Sequence, residues 1–328
     1  MRTTDRARLN VLSLESREVP ACVVSNPTPG TLVVEGDAAS DTVVLRDNGA
    51  GGISVSATGN PNLTFVGIKN IVVNTRGGDD RVSYNLVRNL QPGQTRNVDV
   101  RTEAGNDVFL ANLYRPPFLT LPAVGSDLLA NSRLVIGGMG GEGNDQMRVD
   151  ATKDVDVAAG AALKMILFGE RGNDSLGATY RGENDGAVSI RELDGGTGND
   201  VIRGYYYADP GSAGVAGGLV HGREGDDTMS LYMYGPNISP VSILDGGPHV
   251  TKDIGFANVT VINVPRGGGG VAGHPRACRD PLAGARSGTR HRERRTRRPR
   301  GGPTGWRVVT AGPQVRPRPE EVTRPARG

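Results

Sequence analysis

The sequence predicts an all-β protein, folded as a right-handed parallel β-solenoid with glycine-rich turns and flanked by disordered termini. A short glycine-led turn that ends in aspartate recurs six times along the 328-residue chain. An apolar residue follows each turn at a fixed distance, as expected where a strand begins. Glycine accounts for 49 residues and aromatic residues for only 4% of the chain, which favours a thin core built from many small coils.

The repeated turn has six positions, and the last is always aspartate. The pattern G-G-x-G-x-D is complete twice, at Gly140–Asp145 (GGEGND) and at Gly195–Asp200 (GGTGND). The other four copies keep the fourth glycine. The six copies end at Asp80, Asp107, Asp145, Asp174, Asp200 and Asp227. A seventh, degenerate copy, GDAASD, ends at Asp41.

A strand is predicted after every turn. The residue two positions beyond the closing aspartate is apolar in all seven copies: Val43, Val82, Phe109, Met147, Leu176, Ile202 and Met229. Because side chains alternate between the two faces of a strand, this constant position predicts an inward-facing residue. No segment has a sustained apolar period of 3.6 residues, so little helix is expected.

The spacing of the turns predicts the size of each coil. Successive closing aspartates, from Asp80 to Asp227, are 27, 38, 29, 26 and 27 residues apart. We expect large coils with one such turn each, stacked so that the turns align along one edge at the strand spacing of about 4.8 Å. The longest step contains three prolines and predicts an insertion loop from Tyr114 to Ser132. Beyond Asp227 the pattern fades, and the run 258–264 predicts a closing strand.

Composition divides the chain into three segments. Residues 1–24 predict a disordered leader or export-type segment, although the apolar centre of a signal peptide is missing. Residues 25–265 are the repeat-built solenoid. Residues 266–328 contain 16 Arg and 4 acidic residues, a charge of +12 that leaves the rest of the chain at −9. This Arg-, Gly- and Pro-rich end predicts a disordered tail, and it also resembles out-of-frame translation.

Composition also disfavours several classes of protein. Cys22 and Cys278 lie far apart with no Cys or His at metal spacing beside them, so neither a disulfide framework nor a zinc site is expected. No apolar run reaches the ~18 residues that cross a bilayer. The body is acidic and the basic tail lacks interleaved aromatic residues, so no nucleic-acid partner is expected. No residues form a recognisable catalytic set, so we do not expect an enzyme.

The turn carries the chemistry of a cation site. Its closing aspartate offers a carboxylate, and its glycines permit left-handed backbone that exposes carbonyl oxygens. The residue before the aspartate is Asn or Asp, which tolerates a left-handed conformation. An oxygen-only set without His or Cys favours Ca²⁺ over zinc or copper. The predicted metal ligands are Asp80, Asp107, Asp145, Asp174, Asp200 and Asp227, with Gly140, Gly143, Asn144, Gly195, Gly198 and Asn199.

The sequence leaves one alternative for these turns. They are also compatible with ordinary Asx and glycine turns of a solenoid that binds no metal. If metal binds, we expect the complete copies that end at Asp145 and Asp200 to bind best, and the turns of Asp80 and Asp41 to bind least well.

The units resemble RTX repeats, the haemolysin-type calcium-binding nonapeptides G-G-x-G-x-D-x-U-x that form parallel β-rolls. The resemblance implies a bacterial extracellular or cell-surface protein with a structural or adhesive role, which binds calcium and contacts cell-surface polysaccharide or matrix. The spacing departs from the family, because RTX turns recur every nine residues and these recur about every 27.

The alternative function is a polysaccharide-active parallel β-helix enzyme of the lyase type, in which a calcium ladder acts with a basic residue. Arg171, Arg203 and Arg223 flank the turns. The run 205–207, with Tyr232 and Tyr234, is the aromatic cluster that could line a groove for sugar.

Overall fold

Short strands make up nearly all of the regular structure. A computed structural model describes residues 22–115, 124–247, 254–257 and 259–262. These residues contain no helix, and therefore none long and apolar enough to span a membrane. The strands are β1 Val23–Thr28, β2 Thr31–Glu35, β3 Thr42–Asp47, β4 Ile53–Ala57, β5 Asn60–Phe65, β6 Asn70–Asn74, β7 Arg81–Leu86, β8 Thr95–Ala104, β9 Val108–Asn112, β10 Tyr114–Arg115, β11 Val124–Gly125, β12 Arg133–Glu142, β13 Gln146–Ala151, β14 Ala162–Arg171, β15 Ser175–Gly182, β16 Ala187–Thr197, β17 Val201–Ala208, β18 Val215–Glu224, β19 Thr228–Tyr234, β20 Ile243–Asp245, β21 Ile254–Ala257 and β22 Thr260–Ile262.

The strands form two stacked sheets through which the chain winds. Sheet A has the order β1-β2-β6-β8-β12-β14-β16-β18-β20-β22, and sheet B has the order β5-β4-β3-β7-β9-β13-β15-β17-β19-β21. From β2 and β3 onwards, neighbours in each sheet that belong to successive coils are parallel. Each coil contributes one strand to sheet A and the next to sheet B. The predicted all-β parallel solenoid is confirmed.

The core lies between the two sheets. The seven apolar residues that follow the turns are all at most 2% exposed, which confirms the predicted inward position: Val43, Val82, Phe109, Met147, Leu176, Ile202 and Met229. Burial alternates along the strands, as in β12, where Leu134 and Ile136 are buried. Outward positions are partly exposed because each sheet packs on one face only.

Antiparallel strands occupy the N-terminal end of the solenoid. β1 pairs with β2 at the edge of sheet A, and the β3-β4-β5 meander forms the edge of sheet B. The edge strand β5 contains Pro61, which cannot donate to a further strand. Cys22 precedes β1 as a buried free thiol, and Cys278 lies outside the described residues. This end of the stack is therefore protected against further strand pairing.

A third, narrow side connects sheet B back to sheet A. Isolated parallel bridges link Leu90, Leu128, Val157 and Asn184 in successive coils. In the longest coil, β10 and β11 form an antiparallel ribbon at the start of the expected insertion, and the residues between them lie outside the described structure. The chain has rejoined the stack by Leu128. The β10–β11 ribbon therefore belongs to the narrow side of the coil.

The described residues include little of the two predicted terminal segments. The leader falls outside them except for residues 22–24, and β1 already begins at Val23. The tail 266–328 lies outside them entirely. Of the closing strand expected at 258–264, the described part is β22, which pairs in parallel with β20. The boundaries at 25 and 265 stay predictions.

A charged pair is buried inside the first coils. The Arg96 guanidinium contacts the Asp47 carboxylate at 2.5 Å, and both side chains are 0% exposed. The Tyr84 hydroxyl donates to the same carboxylate at 2.8 Å. In the sequence, only the spacing of Arg96 indicates its burial: it lies two and four residues before Val98 and Val100, and therefore on the same inward face of β8.

Replacement of Arg96 by methionine should strongly destabilise the protein. Arg96→Met leaves Asp47 as an uncompensated buried charge, which typically costs about 3–5 kcal/mol. Equilibrium unfolding in urea measures the loss.

The exposed Arg101 on the same strand pairs with Asp99 and serves as the control. Arg101→Met should cost less than about 1 kcal/mol, and Asp47→Asn should restore part of the stability of Arg96→Met. Equal losses for the two arginine variants would contradict the assigned role of the buried pair.

Candidate metal centre

The six-residue turns join sheet A to sheet B along one edge of the solenoid. In the complete copy Gly140–Asp145, β12 enters the turn and β13 begins immediately after Asp145. Parallel pairing of these strands with the coils on both sides holds the turns in register. The expected alignment of the turns along a single edge is therefore present.

The closing aspartates form a continuous hydrogen-bonded column. We call it the aspartate ladder: Asp41, Asp80, Asp107, Asp145, Asp174, Asp200 and Asp227. In each of its six links, Oδ1 of one aspartate accepts the backbone N–H of the aspartate in the preceding coil at 2.7–2.8 Å. All seven residues are only 1–2% exposed. The degenerate turn of Asp41 belongs to the same column.

The second carboxyl oxygen in the ladder has no comparable partner. Oδ2 has no hydrogen bond in five residues: Asp80, Asp107, Asp145, Asp174 and Asp200. Buried polar atoms are normally hydrogen-bonded, because leaving one unpaired costs about 1–3 kcal/mol. Each of these carboxyl groups therefore offers an oxygen that a proton, a water molecule or a cation could satisfy.

The first glycine of the turn makes room for this oxygen. A Cβ on Gly140 would lie 2.1 Å from Asp145 Oδ2 and 2.9 Å from the carbonyl oxygen of Gly169 in the next coil. A Cβ on Gly169 would lie 2.3 Å from Asp174 Oδ2 and 2.4 Å from the Gly195 carbonyl oxygen. Two acceptor oxygens therefore converge beside each of these glycines. We call this space the notch.

Threonine takes the place of the first glycine in two coils. The Thr102 hydroxyl donates to the Gly140 carbonyl oxygen of the next coil at 2.9 Å. Where the first residue is glycine, the corresponding carbonyl oxygen of the next coil receives no such hydrogen bond from a side chain of the described residues. The Thr75 hydroxyl is buried beside the Asp80 carboxyl. Its presence there partly offsets the rise in the pKa of Asp80 that burial causes. The glycine coils are consequently the better candidates for an added cation.

The residue before each ladder aspartate has a different role from the one expected. Asn144 and Asn199 do not adopt positive φ, so their tolerance of a left-handed conformation is not used at this position. Their side chains instead belong to an exposed asparagine ladder, formed by Asp79, Asn106, Asn144, Asn173, Asn199 and Asp226. In each link the backbone N–H of one coil donates to Oδ1 of the preceding coil at 2.7–3.0 Å. This direction is opposite to that of the aspartate ladder.

Left-handed backbone occurs at other positions of the turn. The second position has positive φ even without glycine, as at Glu170 (74°) and Arg223 (74°). The fourth glycine is needed for close stacking as well. A Cβ on Gly172 would lie 1.5 Å from the carbonyl oxygen of Gly143 in the preceding coil.

Burial raises the pKa of several ladder carboxyl groups. The pKa rises to about 7 for Asp145 and Asp200, and to about 6 for Asp80 and Asp174. The pKa of Asp107 is also raised by burial. The backbone N–H of the preceding aspartate acts in the opposite direction, since it stabilises the ionised form. Near neutral pH the carboxyl groups of Asp145 and Asp200 are therefore poised between protonated and charged forms.

The structure brings together only part of the predicted ligand set. The aspartates align in one column, whereas the side-chain oxygens of Asn144 and Asn199 accept hydrogen bonds on the exposed side of the turn. Among the described residues, no three acidic, His or Cys side chains converge on one point. A cation in a notch would therefore depend on one carboxylate oxygen and on backbone carbonyls, which are ligands that Ca²⁺ accepts.

The flanking arginines point to other partners. Arg171 pairs with Glu142 at 3.2 Å, and Arg223 contacts Asp194 at 2.6 Å. Arg203 is on β17, where it is exposed. The ladder carboxylates are enclosed within the coils, so these arginines do not form a joint exposed site with them.

Comparison with models of known protein families, with curated proteins and with solved structures gives no match for this chain.

An alanine at the fourth glycine should disrupt the turn. Gly172→Ala places a Cβ against the Gly143 carbonyl oxygen at a φ of 135°. We expect a loss of at least about 2 kcal/mol in the free energy of unfolding.

Gly177 is the matched control because a Cβ there would meet only Arg148 Cγ at 3.7 Å. Gly177→Ala should change stability by less than about 1 kcal/mol. Similar unfolding midpoints for the two variants in urea would argue against the close stacking of the turns.

Stability without divalent cations should fall as pH rises from about 4 to about 8. The folded-state pKa of Asp145 and Asp200, about 7, lies above the ordinary 3.8, so the fold favours the protonated carboxyl. This contribution is fully present below pH 3.8 and is lost as pH rises through 7. Each unit of raised pKa corresponds to about 1.4 kcal/mol per group. Melting temperature in a chelating buffer measures the trend.

The variant Asp145→Asn/Asp200→Asn provides the comparison. Its neutral amides keep an acceptor oxygen and gain a donor, so its stability should depend less on pH and should exceed that of the parent near pH 8. A pH profile that coincides with that of the parent would refute the assigned role of these carboxyl groups.

Proposed function

We propose that the protein is a calcium-binding structural or adhesion module that works outside the cell, with Ca²⁺ held at the notches between stacked turns. The observation that carries the proposal is the column of buried carboxyl oxygens without a hydrogen-bond partner, one per coil at Asp80, Asp107, Asp145, Asp174 and Asp200. The notches beside Gly140 and Gly169 are the best candidates, because a carboxylate oxygen and a carbonyl oxygen meet there.

The chemistry of the notch favours a hard divalent cation. Its oxygens come from a carboxylate and a backbone carbonyl, and both are acceptors that cannot hydrogen-bond to each other unless the carboxyl is protonated. A buried carboxylate is costly unless a counter-charge accompanies it. Calcium would supply that charge and would tolerate irregular coordination better than magnesium, which requires nearly ideal octahedral geometry.

An extracellular location suits both the charge and the chemistry of the solenoid. Residues before the basic tail carry a net charge of −9, which binding of cations would reduce. Extracellular calcium modules often need only about 10⁻⁴–10⁻³ M calcium. The ladder would remain incompletely neutralised at low calcium and would become stable after export. Long sheets built from stacked coils offer an extended surface for an adhesive role.

Calcium should stabilise the full-length protein, and the effect should depend on the ladder. In chelator at pH 8, addition of calcium should raise the melting temperature, with a gain that grows as RT ln(1 + [Ca²⁺]/Kd) for each site. Magnesium at the same concentration should have a smaller effect. The variant Asp145→Asn/Asp174→Asn, which alters both of the best candidate notches, should lose most of the calcium response.

Asp154 and Asp209 lie nine residues beyond Asp145 and Asp200 and outside the ladder. The variant Asp154→Asn/Asp209→Asn therefore removes the same charge and should keep the full calcium response. If calcium leaves the parent's melting temperature unchanged, or if both double variants respond alike, the ladder is a purely structural device and the proposal fails.

A further inference from the structure

A cluster of exposed tyrosines lies on the outer face of sheet B, on two neighbouring coils. We call it the tyrosine patch: Tyr205 and Tyr207 on β17, and Tyr232 and Tyr234 on β19. Tyr205 is paired in register with Tyr232, and Tyr207 with Tyr234. Tyr205, Tyr207 and Tyr234 are 40–46% exposed, which is high for large aromatic side chains.

The rings of the patch are arranged in a regular way. The centroids of Tyr205 and Tyr232 are 5.4 Å apart with an interplanar angle of 25°, and those of Tyr232 and Tyr234 are 6.2 Å apart with an angle of 7°. Tyr206 points the other way, into the core, where it stacks on Tyr180 at 5.2 Å. The tyrosine run seen in the sequence is thus divided between the core and the surface.

The hydroxyl groups distinguish the inner tyrosines from the outer ones. The inner hydroxyls of Tyr84 and Tyr180 donate to protein acceptors, and that of Tyr206 accepts a hydrogen bond from Asn184. In the described part of the chain, the four hydroxyls of the tyrosine patch make no hydrogen bond to protein. They are free to bond to a ligand while the rings supply apolar contact.

Arginines border the patch. The Arg181 guanidinium lies 5.9 Å from the centre of the Tyr207 ring, and Arg181 also pairs with Asp154 at 3.7 Å. The exposed Arg203 precedes Tyr205 by two residues on the same outer face of β17, and no described acidic side chain pairs with it. Its uncompensated charge gives the surface a site for an anionic group.

We propose that the tyrosine patch and Arg203 bind an acidic polysaccharide, through ring contacts with the apolar faces of the sugars and an ion pair with a uronate carboxylate. Each tyrosine offers an apolar ring and a polar hydroxyl, and the planar arginine guanidinium matches the geometry of a carboxylate. Thr228, the exposed neighbour on β19, is polar and can hydrogen-bond to sugar hydroxyl groups. Tyrosines repeated at the coil spacing suit a linear polymer with repeated units. The proposal does not depend on cation binding.

Hyaluronan oligosaccharides provide a soluble uronate-containing probe. Isothermal titration calorimetry with the full-length protein, in calcium-containing buffer, should detect binding. Tyr205→Leu/Tyr232→Leu should weaken it about tenfold or more, and Arg203→Gln about fivefold. Arg101→Gln, which removes an exposed charge from sheet A, should stay within about twofold of the parent. Melting temperatures check that each variant is folded, and Tyr234→Leu at the margin of the patch replaces the double variant if that unfolds.

Dextran and poly-L-glutamate separate the two components of the proposed site. A neutral sugar polymer should bind less tightly than hyaluronan, and so should an acidic polypeptide. The proposal is overturned if the folded parent does not bind hyaluronan, if poly-L-glutamate binds equally well, or if dextran binds as tightly. An unchanged affinity in the folded tyrosine variant would overturn it too.

Discussion

The stack of coils depends on the hydrogen bond from the backbone N–H of one ladder aspartate to the carboxyl of the aspartate in the next coil. Because a backbone donor meets a side-chain acceptor, the bond sets both the separation of neighbouring turns and their register. It also draws the carboxyl into the interior, so its second oxygen enters the notch at the first position. That position must then be a glycine such as Gly140, or a residue such as Thr102, whose hydroxyl donates a hydrogen bond to the carbonyl oxygen of the next coil.

Burial of the aspartate carboxyl groups makes the stability of the turn depend on pH. A column of buried carboxyl groups with raised pKa accumulates electrostatic strain as its members ionise. The exposed asparagine ladder beside it is uncharged at Asn144 and Asn173 and strengthens the contact between coils without that cost. The asparagine ladder therefore holds these coils together without a titrating group at Asn144 and Asn173, whereas the contribution of Asp145 and Asp200 depends on the protonation of their carboxyl groups.

The sequence was sufficient to predict the repeated turns and strands. It was not sufficient to predict the side-chain roles that arise from contact between neighbouring coils. The constant apolar position, for example Ile202, and the spacing of the aspartates were enough to predict one turn per coil in a parallel stack. The roles of Asn144 and of the first glycine were not predictable in this way, because they arise only when a neighbouring coil is a few ångströms away. The Arg96–Asp47 pair joins residues 49 positions apart, and only the inward parity of Arg96 hinted at it.

The narrow side of the coil tolerates differences in chain length that the turn edge does not. The coil that carries the β10–β11 ribbon is the longest, yet its ladder bond from Asp107 to Asp145 measures 2.8 Å, against 2.7 Å in the two neighbouring links. Additional chain on that side is thus mechanically uncoupled from the edge that holds the stack together. Such a solenoid can acquire new loops on one side, and with them new surfaces, while its turn edge remains fixed in length and composition. Insertions that change the surface of the protein are therefore expected on the narrow side of the solenoid.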